Sequence, residues 1–547
     1  MKTSILLSFL AIIFLMACAD KKVVVSTENS LFLTPEVMCG TVEFTDGCGP
    51  RTDTLIRFGI ALLHHMTYDD AAYTFDQVIA TDPDCFWGHW GKAMTYIHPL
   101  WPDVPSEEQM ESGYVLSQRA LALAKKPNEK LYGAALASYY EKSDKKKAER
   151  LAAFQNGWAT AHTELPADAE AELFYDLFRL STASPGDKTF AVQKEVGAST
   201  ERLLQKYPNH PGAYHYTIHA YDVPPLATKA LEVARNYGKI APEIPHALHM
   251  PSHIFTRLGL WPESIEWNAR SAKAALRLPI NNMVSPHAFH AYDYMVYAYL
   301  QQGQDEKVQE ILASIDTLKS SFMINPASAY ALAALPSRQP LENHQWSEAV
   351  KVSLPDTSKV SIKKYPQYEA LVYFARGIGG ARGGNPEAAT EAATQLEKIY
   401  NGLGEAPENK YWRDQVNIQR IAVNAWISFA KGEKDIALTQ MKESAALEAA
   451  TQKNPISPGE LLPAGELLGD MLMEMNKPAE ALAAYQKSLE SRPNRFNSLY
   501  GAGKAAEASG QTAVASDFYS QLIALNGDTP SKRDRATYAR AHVDGKK

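Results

Sequence analysis

Eight of the fifteen histidines fall between residues 210 and 290, where an even spread would place about two. Two pairs among them, His215/His219 and His249/His253, stand four residues apart. On a helix that spacing puts both rings on one face, where they can ligate one metal together. Neighbouring helix axes lie about 8–10 Å apart, so rings from two adjacent helices can converge. Imidazole-rich sets suit zinc, copper or iron. His246, His290 and Asp293 are expected at the rim of such a site. Asp222 and Tyr297 are the weaker candidates, as groups that orient a ligand or move a proton. The same cluster also reads as a buried polar network or a ligand pocket without metal. Pro251 threatens the register of His249. A proline inside a helix costs about 3 kcal/mol and disfavours helical angles at Met250 before it.

A second constellation is aromatic. Trp87, Trp90 and Met94 recur at helical spacing, with His98 just beyond. Such a stripe lines a groove for a peptide or glycan, or else is core against the next helix. The run from Gly377 to Gly383 falls short of a dinucleotide fingerprint, because Arg382 stands at its third glycine and no strand precedes it. Gly501 to Lys504 resembles the end of a phosphate loop without its upstream glycine. A formal charge of −7 argues against nucleic acid as a partner.

The elements that must position these residues repeat. Apolar residues recur at three and four, and a period near 34 runs through the chain. Its clearest copy carries Leu468-Gly469, Leu472, Ala481, Tyr485 and Pro493. The next carries Ala502-Gly503, Ala506, Ala515 and Tyr519, and an early one Gly59, Leu62, Ala71, Phe75 and Pro83. This is the tetratricopeptide pattern of small residues at helix crossings and bulky ones between units. One unit cannot bury its own apolar face, so the units must stack. The expected fold is all-α, a right-handed solenoid of tetratricopeptide-like helix pairs.

In such units positions 2, 5, 9, 12 and 13 of the first helix line the concave groove. A unit starting at Pro211 puts His215 at 5 and His219 at 9. One starting at Pro245 puts His246, His249 and His253 at 2, 5 and 9, and Arg257 at 13. Counting back from Gly303, the next starts near Phe289, with His290 at 2, Asp293 at 5 and Tyr297 at 9. The expected arrangement is one groove pocket holding His215, His219, His249 and His253.

The N-terminus reads as an export signal, with Lys2 before an apolar stretch from Ile5 to Met16. Its end, Leu15-Met16-Ala17-Cys18, resembles a bacterial lipobox, which implies lipidation of Cys18. The resulting division is a signal peptide over 1–17, a lipidated tether over 18–50, an array carrying the histidines over 51–350, a break over 351–365 and a second array over 366–547. An exported chain meets an oxidising compartment, so Cys39 and Cys48 are expected to pair, leaving Cys85 as a buried thiol.

Several stretches carry a further resemblance: HYTIHAYD at 215–222, HALHMPSHIFTRLG at 246–259, ARGIGGARGGN at 375–385, NPISPGELLPAGELLGDML at 454–472 and PNRFNSLYGAGKAA at 493–506. Together they are similar to a widespread family of bacterial tetratricopeptide lipoproteins with HxxxH and HxxHxxxH motifs. The resemblance implies the paired-helix fold and brings no activity with it. That family often has histidine where Asn454 stands, which argues against a ligand at this position. The expected function is that of a lipid-anchored protein of the bacterial envelope, at the outer membrane. Its groove takes a protein, peptide or small ligand and carries a histidine metal site. The alternatives are a metal-dependent enzyme on the same cluster, or an envelope assembly scaffold without metal.

Overall fold

The computed structural model describes residues 25–27, 30–44, 47–101, 103–184, 186–318, 321–355, 362–527 and 529–545. The signal peptide and Cys18 lie outside them. The described residues are α-helical almost throughout, apart from a two-stranded antiparallel ribbon, Val25–Thr27 with Ser30–Phe32. Helices pack against the next in sequence and the one after, giving the expected solenoid of helix pairs.

The repeat frame is visible atom by atom. The Phe75 ring is wedged between Gly59 and Gly91, and the Tyr485 ring between Gly469 and Gly501. A Cβ on Gly469 would stand 2.6 Å from the Tyr485 ring. The aromatic of one unit therefore fills the space that two glycines leave, one in its own unit and one in the next. Prolines open many helices, including Pro211–Tyr221, Pro245–His249, Pro286–Gln301 and Pro326–Glu342. There the missing N–H has no intrahelical partner to lose.

The C-terminal repeats fold back onto the middle of the solenoid. Trp261 Nε1 donates to the carbonyl of Asn494 at 2.8 Å, and Arg533 pairs with Asp305 at 2.7 Å. Arg495 pairs with Glu342 and Glu466 and donates to the Tyr297 hydroxyl. Between the helices Lys434–Ala450 and Ala464–Glu474, the segment 451–463 crosses the face that carries the histidines. Tyr294 donates to the Pro455 carbonyl at 2.9 Å, Tyr330 bonds Ser457 at 2.8 Å, and Arg338 donates to the Gly459 carbonyl. At this level the groove is filled by the chain itself.

Two expectations are corrected here. The disulfide joins Cys48 to Cys85, not to Cys39, and Cys39 is the free thiol among the described residues. Cys39 is held at the helix Asp53–His64, where its carbonyl accepts from His65 Nε2. Past it, the buried Phe44 docks edge-on to Trp87 and carries the chain to Cys85, at the start of Phe86–Met94. Trp87, Trp90 and Met94 are core, not groove: all three are buried, and both indoles pack against Tyr132, Trp87 edge-on and Trp90 tilted.

Candidate metal centre

The first helices of three successive units carry the histidines inward. Pro211–Tyr221 supplies His215 and His219. The next runs Pro245–His249 and Pro251–Leu258, and Met250 between them keeps helical angles, φ −52° and ψ −38°. Pro251 therefore does not displace His249, whose ring stays one turn from His253. The third helix opens at Pro286, three residues before the expected start. With Pro286 as position 1, His290 takes position 5 and Tyr294 position 9, matching His215/His219 and His249/His253.

The rings form two sets of three. His215, His219 and His246 make one, and His249, His253 and His290 the other; within each set the ligand atoms lie within 4.8 Å of one another. His246 and His290 are thus members of the sets, not rim residues. His215 Nε2 faces His219 Nε2 at 3.1 Å, and His249 Nε2 faces His253 Nε2 at 3.0 Å.

Outer partners fix the tautomers. The amide nitrogen of Asn268 donates to the Ser264 carbonyl, so its oxygen accepts from His249 Nδ1 at 2.7 Å. His253 Nδ1 donates to the Asp222 carboxylate at 3.0 Å, and Arg257 holds the other carboxylate oxygen at 2.7 Å. His215 Nδ1 donates to the His64 carbonyl at 2.6 Å. With their protons on Nδ1, His249 and His253 point two bare lone pairs at each other. This is the outer-shell arrangement that orients imidazole ligands on a metal.

The electrostatics agree. Burial holds His215, His246, His249 and His290 well below the ordinary histidine range, and the neighbouring rings push them further down. Burial lowers His219 to about 3 and His287 to about 4. Burial also acts to raise the Asp222 carboxyl, but Arg257, Lys453 and His253 hold it well below its usual range. The rings are therefore neutral and able to ligate, beside a carboxylate that stays charged. His219, His246, His253 and His290 open on a cavity of about 60 Å³ shared with Trp101 and Ile456.

Several expected site residues lie elsewhere. Asp293 is fully buried in an ion pair with Arg338, with oxygens at 2.5 and 3.0 Å from the guanidinium. Tyr297 bonds Arg495, away from the histidines. Both follow from the three-residue slip in the frame of their helix. Arg257 is buried against Asp222 and lines a separate cavity of about 230 Å³ with Tyr297 and Arg492, away from the histidine chamber. His98 stacks on Tyr68 and pairs with Asp103 at 2.5 Å. Asn454 does line the cavity, but its side-chain oxygen accepts from the Ile456 backbone.

Spacing alone did not reveal a third group, His64, Glu170 and His210. Glu170 takes His64 Nε2 at 2.6 Å on one oxygen and His210 Nε2 at 2.8 Å on the other, while His64 Nδ1 meets the Tyr216 hydroxyl at 2.8 Å. The carboxylate is already satisfied, so this group is a brace: it fixes the residue whose carbonyl orients His215. The three residues come from three distant helices, and no local pattern signals them. His287, which packs beside His246 with ring centroids 5.4 Å apart, belongs to the visible histidine cluster.

No protein-family profile matches the chain, and no curated protein is recognisably similar to it. Among solved structures, yeast Tom70 is similar over 91% of this chain and 96% of its own, at 13% identity and a TM-score of 0.33. The Cut9–Hcn1 hetero-tetramer of the APC/C gives 12% identity and a TM-score of 0.30, over 90% of this chain and 96% of that one. Likenesses this loose bring no function with them.

Proposed function

We propose that this protein is a lipid-anchored envelope solenoid whose buried histidine chamber binds a transition metal, copper or zinc before iron. One observation carries the metal reading: the unprotonated Nε2 atoms of His249 and His253 face each other at 3.0 Å. Two lone pairs at that distance repel, and a cation between them turns the repulsion into two bonds. Ligation at about 2.0–2.1 Å needs only small rotations of the rings. The cavity has room for a small molecule, not for a peptide. A protein or peptide partner therefore has to use surfaces outside the chamber. Metal-dependent catalysis would use the same rings, with Asp222 setting the basicity of His253.

The test is metal uptake by the purified full chain after chelator treatment. Copper(II) or zinc(II) should bind tightly, and the His249→Ala/His253→Ala double variant should hold fewer ions per chain than the wild type. Equal uptake by the two proteins would remove the reading and leave a binding scaffold. For the anchor, a fatty-acid probe should label the wild type expressed in a bacterium and leave Cys18→Ala unlabelled. A labelled Cys18→Ala would remove the anchor.

A further inference from the structure

Six rings are more than one ion needs, and their grouping is uneven. Within the first set, ring centroids are 4.7 Å apart for His215/His219 and 5.1 Å for His215/His246. Within the second they are 4.9 Å for His249/His253 and 4.2 Å for His249/His290. Between the sets the distances lengthen to 6.3 Å for His219/His253 and 6.2 Å for His246/His249. An ion bonded to one set leaves the other three rings beyond its reach.

Each set has its own preparation for an ion. The first has His215 turned by the His64 carbonyl, and the second has His249 and His253 turned by Asn268 and Asp222. Each also has a ring with unmet nitrogens. His246 is 6% exposed and neither of its nitrogens has a hydrogen-bond partner; His290 is 8% exposed with Nδ1 unpartnered. Burying such groups without partners is costly, and ligation supplies a partner. The two sets meet across the shared cavity, which takes His219 and His246 from one and His253 and His290 from the other.

Resting on the metal reading above, we infer that the centre is binuclear: each three-imidazole set binds its own ion, and the cavity between them takes a small anionic or diatomic ligand that bridges both. Three imidazoles leave a fourth position on each ion, as in metal sites that bind an exogenous group. Both open positions face the same space, whose size fits a few atoms and no more. Repetition explains the arrangement. Each set takes an i, i+4 pair from one solenoid unit and a single ring from the first helix of the following unit.

The test uses the full chain loaded with copper(II). Elemental analysis should give two copper ions per chain. The integrated electron paramagnetic resonance signal should account for fewer spins than copper ions, because close ions couple. His246→Ala and His290→Ala should each retain about one ion with its full spin count; His246→Gln and His290→Gln replace them if circular dichroism shows loss of helix. Azide should bind the wild type at one per two copper ions, and neither single variant in that ratio. One copper per chain in the wild type, or loss of all copper in both single variants, would overturn the binuclear centre while keeping a metal site. No specific copper at all would instead remove the metal reading beneath it.

Discussion

Asp222 meets the chamber through His253, is tied on its second oxygen to Arg257 and lies in the field of Lys453. Its charge makes the His253 ring more basic and keeps the proton on Nδ1. Asp222→Asn preserves the shape and loses that charge. Metal affinity should fall about 10–100-fold in a competition titration against a chelator, the usual cost of an outer-shell partner. An unchanged affinity would mean that His253 is not a ligand. At this scale the sequence was informative about the pairs: His215/His219 and His249/His253 were legible because i, i+4 spacing is a local property of any helix. Asn268 and the His64 brace were not, since their partners come from other helices.

The helix is where the register was lost and can be tested. Counting back from Gly303 assumed a unit of standard length, but the helix Pro286–Gln301 begins a turn earlier. That shift took Asp293 and Tyr297 out of the site and put His290 and Tyr294 into it. The small-residue positions, by contrast, were legible throughout, because each glycine answers to an aromatic sixteen residues later, Gly59 to Phe75 and Gly469 to Tyr485. Gly469→Leu drives a side chain into the Tyr485 ring and should destabilise the protein by about 1–3 kcal/mol in denaturant unfolding. A neutral result would contradict the crossing. The disulfide closes a loop between positions 37 residues apart. Cys85→Ser should cost about 2–4 kcal/mol, and Cys39→Ser much less, on the same measurement. The reverse order would restore the local pairing that nine-residue spacing suggested. That spacing hid the packing of Phe44 on Trp87, which carries Cys48 to Cys85.

The whole molecule closes around its own charge-free imidazoles, and this gives it a pH dependence. Free histidine titrates near 6.5. In the fold, burial lowers His65 and His219 to about 3 and His287 to about 4. The unfolded chain therefore binds more protons below pH 6.5, and stability falls as pH drops from about 6.5 towards 3–4. Metal-free protein should show this loss in thermal unfolding, and bound metal should offset it, because ligand binding to the folded state adds stability. Stability that rises on acidification through this window would contradict neutral buried rings. The all-helical solenoid was legible because its period repeats; the filling of the histidine face by 451–463 was not, since that segment has no repeat of its own. The most direct test of the metal centre is an anomalous difference map from crystals of the full chain grown with copper(II). The account predicts a peak bonded to the Nε2 atoms of His249 and His253, at about 2.0–2.1 Å from each. A map with copper only at surface sites, and those two rings still in direct contact, would contradict it.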